Sequence, residues 1–127
     1  MKIKEMRPKQ VIWMTESDSL SEAAKCLADE EIGAVLIESA SGPVGVFSER
    51  DLARAVADEV DLASTPVDEY MTRSPVEVTL ESPVTEAIAA MNEFAVRHVV
   101  VCDGDDEVGM ISARDILRVL QDAGLAV

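Results

Sequence analysis

The sequence predicts an α+β fold built from two β-α-β-β-α repeats. Three observations lead there. A ten-residue stretch, Gly45-Val46-Phe47-Ser48-Glu49-Arg50-Asp51-Leu52-Ala53-Arg54, recurs 64 positions later as Gly109-Met110-Ile111-Ser112-Ala113-Arg114-Asp115-Ile116-Leu117-Arg118. Each copy reads as a buried strand running straight into a helix. Short apolar runs alternate with helical periodicity on both sides of it. A unit of roughly 60 residues buries little surface alone, so the two copies are expected to share one core and fold as a pair.

Residues 1–10 are polar and read as a lead-in segment. Val11 to Met14 forms a short strand. Asp18 is placed to cap a helix over about Ser19 to Glu31, with Ala23, Ala24, Leu27 and Ile32 near one face and Gly33 ending it. Ala34 to Ile37 is a continuous apolar strand, residues 39–43 a turn, and Val44 to Phe47 the next strand. A helix follows over about Glu49 to Asp58. The first repeat spans 11–62, and a linker over 63–74 holds one helical turn near Thr65 to Met71.

The second repeat, 75–127, begins with Val76 to Val78. Ser82 caps a helix that has Pro83 at its first position and runs to about Phe94, with Val84, Ala87, Ile88 and Met91 inward. His98 to Cys102 and Val108 to Ile111 are strands joined by a tight acidic turn, so they pair antiparallel. The last helix ends near Gly124.

Net charge is −14, which argues against nucleic acid, whose binding needs a basic footprint, and against anionic membrane surfaces. Four of the eleven basic residues nevertheless fall in the repeated stretch, which suits small anionic ligands. No secretory signal or run of about 18 apolar residues is present. Cys26 and Cys102 occupy non-equivalent places, so zinc is not expected, and a reducing cytoplasm is.

Ser-x-x-Asp before an apolar run is a variant capping box, with Arg54 and Arg118 placed to pair with the aspartates. Capping would explain one copy. Between residues 15–58 and 79–122, 11 of 44 matched positions are identical, and six of those lie within the 11 positions from Val44/Val108 to Arg54/Arg118. Caps tolerate other residues, so retention of Ser, Arg and Asp together asks for more. A strand ending at a helix N-terminus offers amide donors to phosphate. Arg adds a bidentate donor, and Asp can accept two hydrogen bonds from the vicinal diol of a ribose. Gly45 and Gly109 allow the backbone to approach such a ligand closely.

Gly-apolar-apolar-Ser-x-x-Asp, twice, resembles a tandem pair of cystathionine-β-synthase (CBS) domains, a Bateman module. Met71-Thr72-Arg73-Ser74-Pro75-Val76 and Arg97-His98-Val99-Val100-Val101 support the likeness, which extends from about Met6 to Leu125. The resemblance implies repeats packed sheet to sheet about a pseudo-two-fold axis. It also implies two clefts that bind an adenine nucleotide or adenosyl ligand. One would combine Ser48, Arg50 and Asp51 with Val76, Val96, Arg97 and His98. The other would combine Ser112, Arg114 and Asp115 with Ile12, Ile32 and Gly33. The ligand would be AMP, ADP or ATP, or else S-adenosylmethionine or NAD. The chain departs from the family where Gly33-Ala34 replace an Arg-His pair, which favours the Asp51 cleft for a phosphorylated ligand. The implied role is a regulatory module without catalysis or a metal or other cofactor, forming a homodimer and acting on an effector protein in trans. The alternative is a dimerisation or interaction domain with empty clefts. No nucleophile-base pair or second histidine supports an enzyme.

Overall fold

The computed structural model describes residues 1–124, so the end of the second repeat expected at 125–127 lies outside the described residues. The chain divides into two compact units, one of Ile12–Pro75 and one in which Met1–Val11 joins the segment beginning at Val76.

In the first unit, β1 (Trp13–Thr15) lies parallel to β2 (Ala34–Ser39), and helix α1 (Leu20–Glu30) makes the crossover that a parallel pair requires. A tight turn then returns the chain antiparallel as β3 (Gly42–Ser48), which runs into α2 (Glu49–Ala57). The second unit repeats this as β5 (Glu77–Thr79), α3 (Val84–Phe94), β6 (His98–Asp103), β7 (Asp106–Ser112) and α4 (Ala113–Asp122). Both hairpins shift register at the same place, between Ile37 and Glu38 and between Val101 and Cys102. The two β-α-β-β-α repeats of an α+β fold are therefore present.

Local chemistry differs from the expected details at three helix ends. Ser19, not Asp18, caps α1, its Oγ accepting the Glu22 N–H at 3.1 Å. Asp18 instead accepts the Thr15 N–H at 2.9 Å, and its counterpart Ser82 accepts the Thr79 N–H at 3.1 Å. These two side chains close the turn after the first strand of each repeat, and α3 starts one residue later, from Pro83. Gly33 does not end α1. Glu31 and, in the other copy, Ala95 take the left-handed conformation at φ 53°, at a local cost of about 1 kcal/mol that a glycine there would avoid.

The segments expected to be lead-in and linker are integral to the units. Residues Val67–Glu69 form a 3₁₀ turn and Thr72–Arg73 a short strand, β4, on the free edge of β3. This segment completes the first repeat, and Val67 and Met71 lie in its core with Leu20, Ala23, Leu27, Val35, Ile37, Phe47 and Ala55. The N-terminus does the same for the second repeat. Ile3–Met6 is a 3₁₀ turn, Lys9 bridges to Met110 at the edge of β7, and Ile3 is buried among Val78, Val84, Ala87, Met91, Val99, Val101, Ile111 and Ile116. The Ile3 N–H donates to the Ser82 carbonyl at 2.8 Å and the Lys4 N–H to the Leu80 carbonyl at 3.0 Å. Each repeat thus gives its leading segment to the other repeat's core.

Candidate functional site

The repeated stretch sits where β3 meets α2 and where β7 meets α4. Ser48 and Ser112 have extended backbones and cap these helices. The Ser48 N–H donates to Asp51 Oδ2 at 2.8 Å, its hydroxyl donates to the same oxygen at 3.1 Å, and the Asp51 N–H donates to Ser48 Oγ at 3.4 Å. In the second copy the Ser112 N–H donates to Asp115 Oδ2 at 2.9 Å and the Asp115 N–H to Ser112 Oγ at 3.1 Å. The capping boxes expected from sequence are formed in both copies.

The aspartates differ beyond the cap. Arg54 pairs directly with Asp51 Oδ1 and also donates to the Tyr70 carbonyl at 3.1 Å. Around Asp115, the Lys9 ammonium stands 3.9 Å and the Arg118 guanidinium 3.8 Å from Oδ1. Both distances exceed a hydrogen bond.

Two of the expected features serve the chain's own folding. The first amide of each helix is already used, Glu49 N–H donating to the Gly33 carbonyl at 3.0 Å and Ala113 N–H to the Arg97 carbonyl at 2.9 Å. With the third amide held by the serine, the helix starts offer a phosphate fewer amide donors than expected. The glycines are also explained within each unit. A Cβ on Gly45 would stand 2.6 Å from the Thr72 carbonyl oxygen, and one on Gly109 would stand 2.7 Å from Pro8 Cβ. The close approach they permit is that of β4 and of the N-terminal segment.

The remaining expected residues lie near strand starts. Ile12 and Val76 offer their carbonyls to the Leu36 and Val100 amides, each at 2.9 Å. Ile32 and Val96 are half-buried against the cores of their own units. Gly33 and Arg97 precede β2 and β6 in the two units, and Arg50 and Arg114 lie exposed in the first turns of α2 and α4. Register sets His98 opposite Ser112, whereas Ala34 stands opposite Ser48. Within the second unit the structure therefore brings together Ser112, Asp115, His98 and the start of α4, with Lys9 added from the N-terminus.

The pairing of Arg54 with Asp51 is as expected from sequence; Lys9, the hold of the Tyr70 carbonyl on Arg54, and the packing role of the leading segments were not singled out. The signal was faint: over 3–14 and 67–78 only Glu5/Glu69 is identical, although Ile3/Val67, Lys9/Arg73 and Ile12/Val76 keep their character. Burial also acts on the thiols, pushing Cys102 up to about 11 and raising Cys26. Among the described residues no cluster of His, Cys, Asp and Glu could hold a metal ion, and no helix is long and apolar enough to cross a membrane.

Comparison with known proteins gives a consistent result. An uncharacterized 17.7 kDa protein of Acidianus ambivalens is 31% identical over 123 residues, covering 95% of this chain and 74% of that one. The CBS domain-containing protein CBSCBSPB5 of Arabidopsis thaliana is 28% identical over 123 residues, covering 95% of this chain, which spans only 22% of that longer protein. Among solved structures, a putative signal-transduction protein with CBS domains from Burkholderia ambifaria superposes with a TM-score of 0.92 at 27% identity, covering 100% and 98% of the two chains. A CBS domain protein from Pyrobaculum aerophilum, solved with AMP, gives 0.84 at 30% identity over 98% and 99%. The CBS domain pair of protein MJ0100, solved with 5′-methylthioadenosine and S-adenosyl-L-methionine, gives 0.84 at 28% identity over 97% and 98%. The CBS domain pattern matches twice, at 3–58 and 67–122, so each leading 3₁₀ turn belongs to its repeat, and the chain is a member of the CBS domain family, carrying a tandem pair.

Proposed function

We propose that this chain is a non-catalytic regulatory module that binds an adenosine-containing ligand and transmits its occupancy to a partner protein. The observation that carries the reading is the duplicated Ser-x-Arg-Asp at two helix starts, in a chain similar along nearly its whole length to pairs solved with AMP or with S-adenosyl-L-methionine. Asp51 and Asp115 are the carboxylates placed to accept a ribose, and Ser48, Ser112, Arg50 and Arg114 are placed for the ligand's anionic or sugar oxygens. Ile12, Ile32, Gly33, Val76 and Val96 flank the base, and Arg97 and His98 meet phosphate. Signalling follows from unequal affinity of the ligand for two arrangements of the protein. Formation of a homodimer is supported by apolar residues left on helix surfaces: Phe94 is 56% and Leu117 54% exposed, and a groove between α1 and α2 is lined by Ala24, Leu27, Ala28 and Val56. Two free thiols suit a reducing cytoplasm.

A thermal-shift panel of AMP, ADP, ATP, S-adenosylmethionine and NAD tests the reading. A micromolar binder at millimolar dose stabilises by about 4 kcal/mol, a shift of about 10–20 °C for a chain of this size. A second reading, an interaction domain without a nucleotide, draws on the closed capping box at Asp51. It predicts a flat panel and a loss of only about 1 kcal/mol on Asp115→Ala.

A further inference from the structure

Two copies of one motif hold a ligand equally well only if their carboxylates are equally available. Among the described residues Asp51 is the buried charged one, its side chain 3% exposed against 16% for Asp115. Asp51 Oδ2 takes two hydrogen bonds from Ser48, and Oδ1 faces Arg54. Arg54 is held at a second point by the Tyr70 carbonyl, so it lies across Asp51 as a latch. Near Asp115 Oδ1 stand Lys9 and Arg118, at 3.9 and 3.8 Å. The residue equivalent to Lys9 in the other copy is Arg73, and its guanidinium turns to the Asp68 carbonyl instead, at 3.4 Å. Ser112 also faces His98, where Ser48 faces Ala34. Cationic and polar groups thus gather around the more open carboxylate.

We propose that the two aspartates are used unequally: Asp115 accepts the ligand's vicinal diol, and Arg54 keeps Asp51 closed. The inference rests on the adenosyl-binding reading above and reverses the ranking that Arg97 and His98 suggested from sequence. A diol entering at Asp51 must displace a charge-assisted hydrogen bond. Because Arg54 is more than half exposed, the penalty falls at the low end, about tenfold in affinity.

Isothermal titration of the full chain with AMP tests this, with S-adenosylmethionine as a second probe. The wild type is expected to show one tight site per chain and a second about tenfold weaker. Asp115→Asn, which keeps an acceptor for the cap, weakens the tight site at least tenfold. Arg54→Ala tightens the weaker site toward the first, and adding Asp51→Asn to Arg54→Ala removes that gain. Circular dichroism confirms that each variant is folded. Two equal sites in the wild type, or full binding by Asp115→Asn, would overturn the inequality and leave the adenosyl reading standing. No heat with either probe in the wild type or in any variant would overturn both.

Discussion

Replacing Ile3 with alanine tests the exchange of leading segments. Ile3 is fully buried, yet its nearest core neighbour in sequence is Val78. The substitution removes three carbons from a closed core, about 2.4 kcal/mol at ~0.8 kcal/mol per methylene. The cavity left behind adds to this, giving about 3–4 kcal/mol in all. Fraying of the 3₁₀ turn limits the loss, but the amides of Ile3 and Lys4 are bonded to Ser82 and Leu80, so detachment also exposes those carbonyls. Hydrogen exchange read by mass spectrometry localises the effect. Protection is expected to fall in β5, β6 and β7 of the second unit while the first unit changes little. Val67→Ala is expected to do the reverse, and Gln10→Ala, at an exposed position, to do neither. A change below about 0.5 kcal/mol for Ile3→Ala, or one confined to residues 12–75, would refute the reasoning.

Gly45→Ala and Gly109→Ala are each expected to destabilise by about 1–3 kcal/mol, because a Cβ would stand 2.6 Å from the Thr72 carbonyl oxygen or 2.7 Å from Pro8 Cβ. Thermal melts check this, and a melting temperature unchanged in both variants would show that the covering segments are not held there. Glu81 pairs with Lys2 and Lys4 at 2.9 and 3.0 Å, and hydrogen bonding to those ammonium groups, Lys2 foremost, lowers its carboxyl from an ordinary 4.5 to about 2. A lowered folded-state value stabilises above the ordinary value and loses that contribution as pH falls through the folded one. Amide protection at Ile3 and Lys4 should therefore decline between pH 4.5 and about 2, less steeply in high salt. A Glu81→Gln variant with the same acid profile as the wild type would remove the pair as its cause.

The capping boxes were legible from sequence because donor and acceptor are three residues apart, and chain connectivity alone brings them together. The antiparallel pairing of the two later strands in each repeat followed from the tight turn for the same reason. Helix ends were less legible, since Asp18, Ser19 and Ser82 are all competent caps and the strand-end amides of Thr15 and Thr79 compete for them. The glycines were read as room for a ligand. Only packing identifies Thr72 and Pro8 as what lies over them.

The sequence by itself determined the duplication, the order and type of the elements within each β-α-β-β-α repeat, and the Ser-Asp pair at each helix start, because these depend on local periodicity and near neighbours. Tertiary structure decided which core each leading segment completes, since Ile3 meets Val78 and Val84 across more than seventy residues of chain. It also decided that Arg54 reaches Asp51 closely while Arg118 stays back from Asp115. Identical residues at identical spacing end at different distances because Tyr70 anchors one arginine and Lys9 competes with the other, and neither neighbour belongs to the repeated stretch.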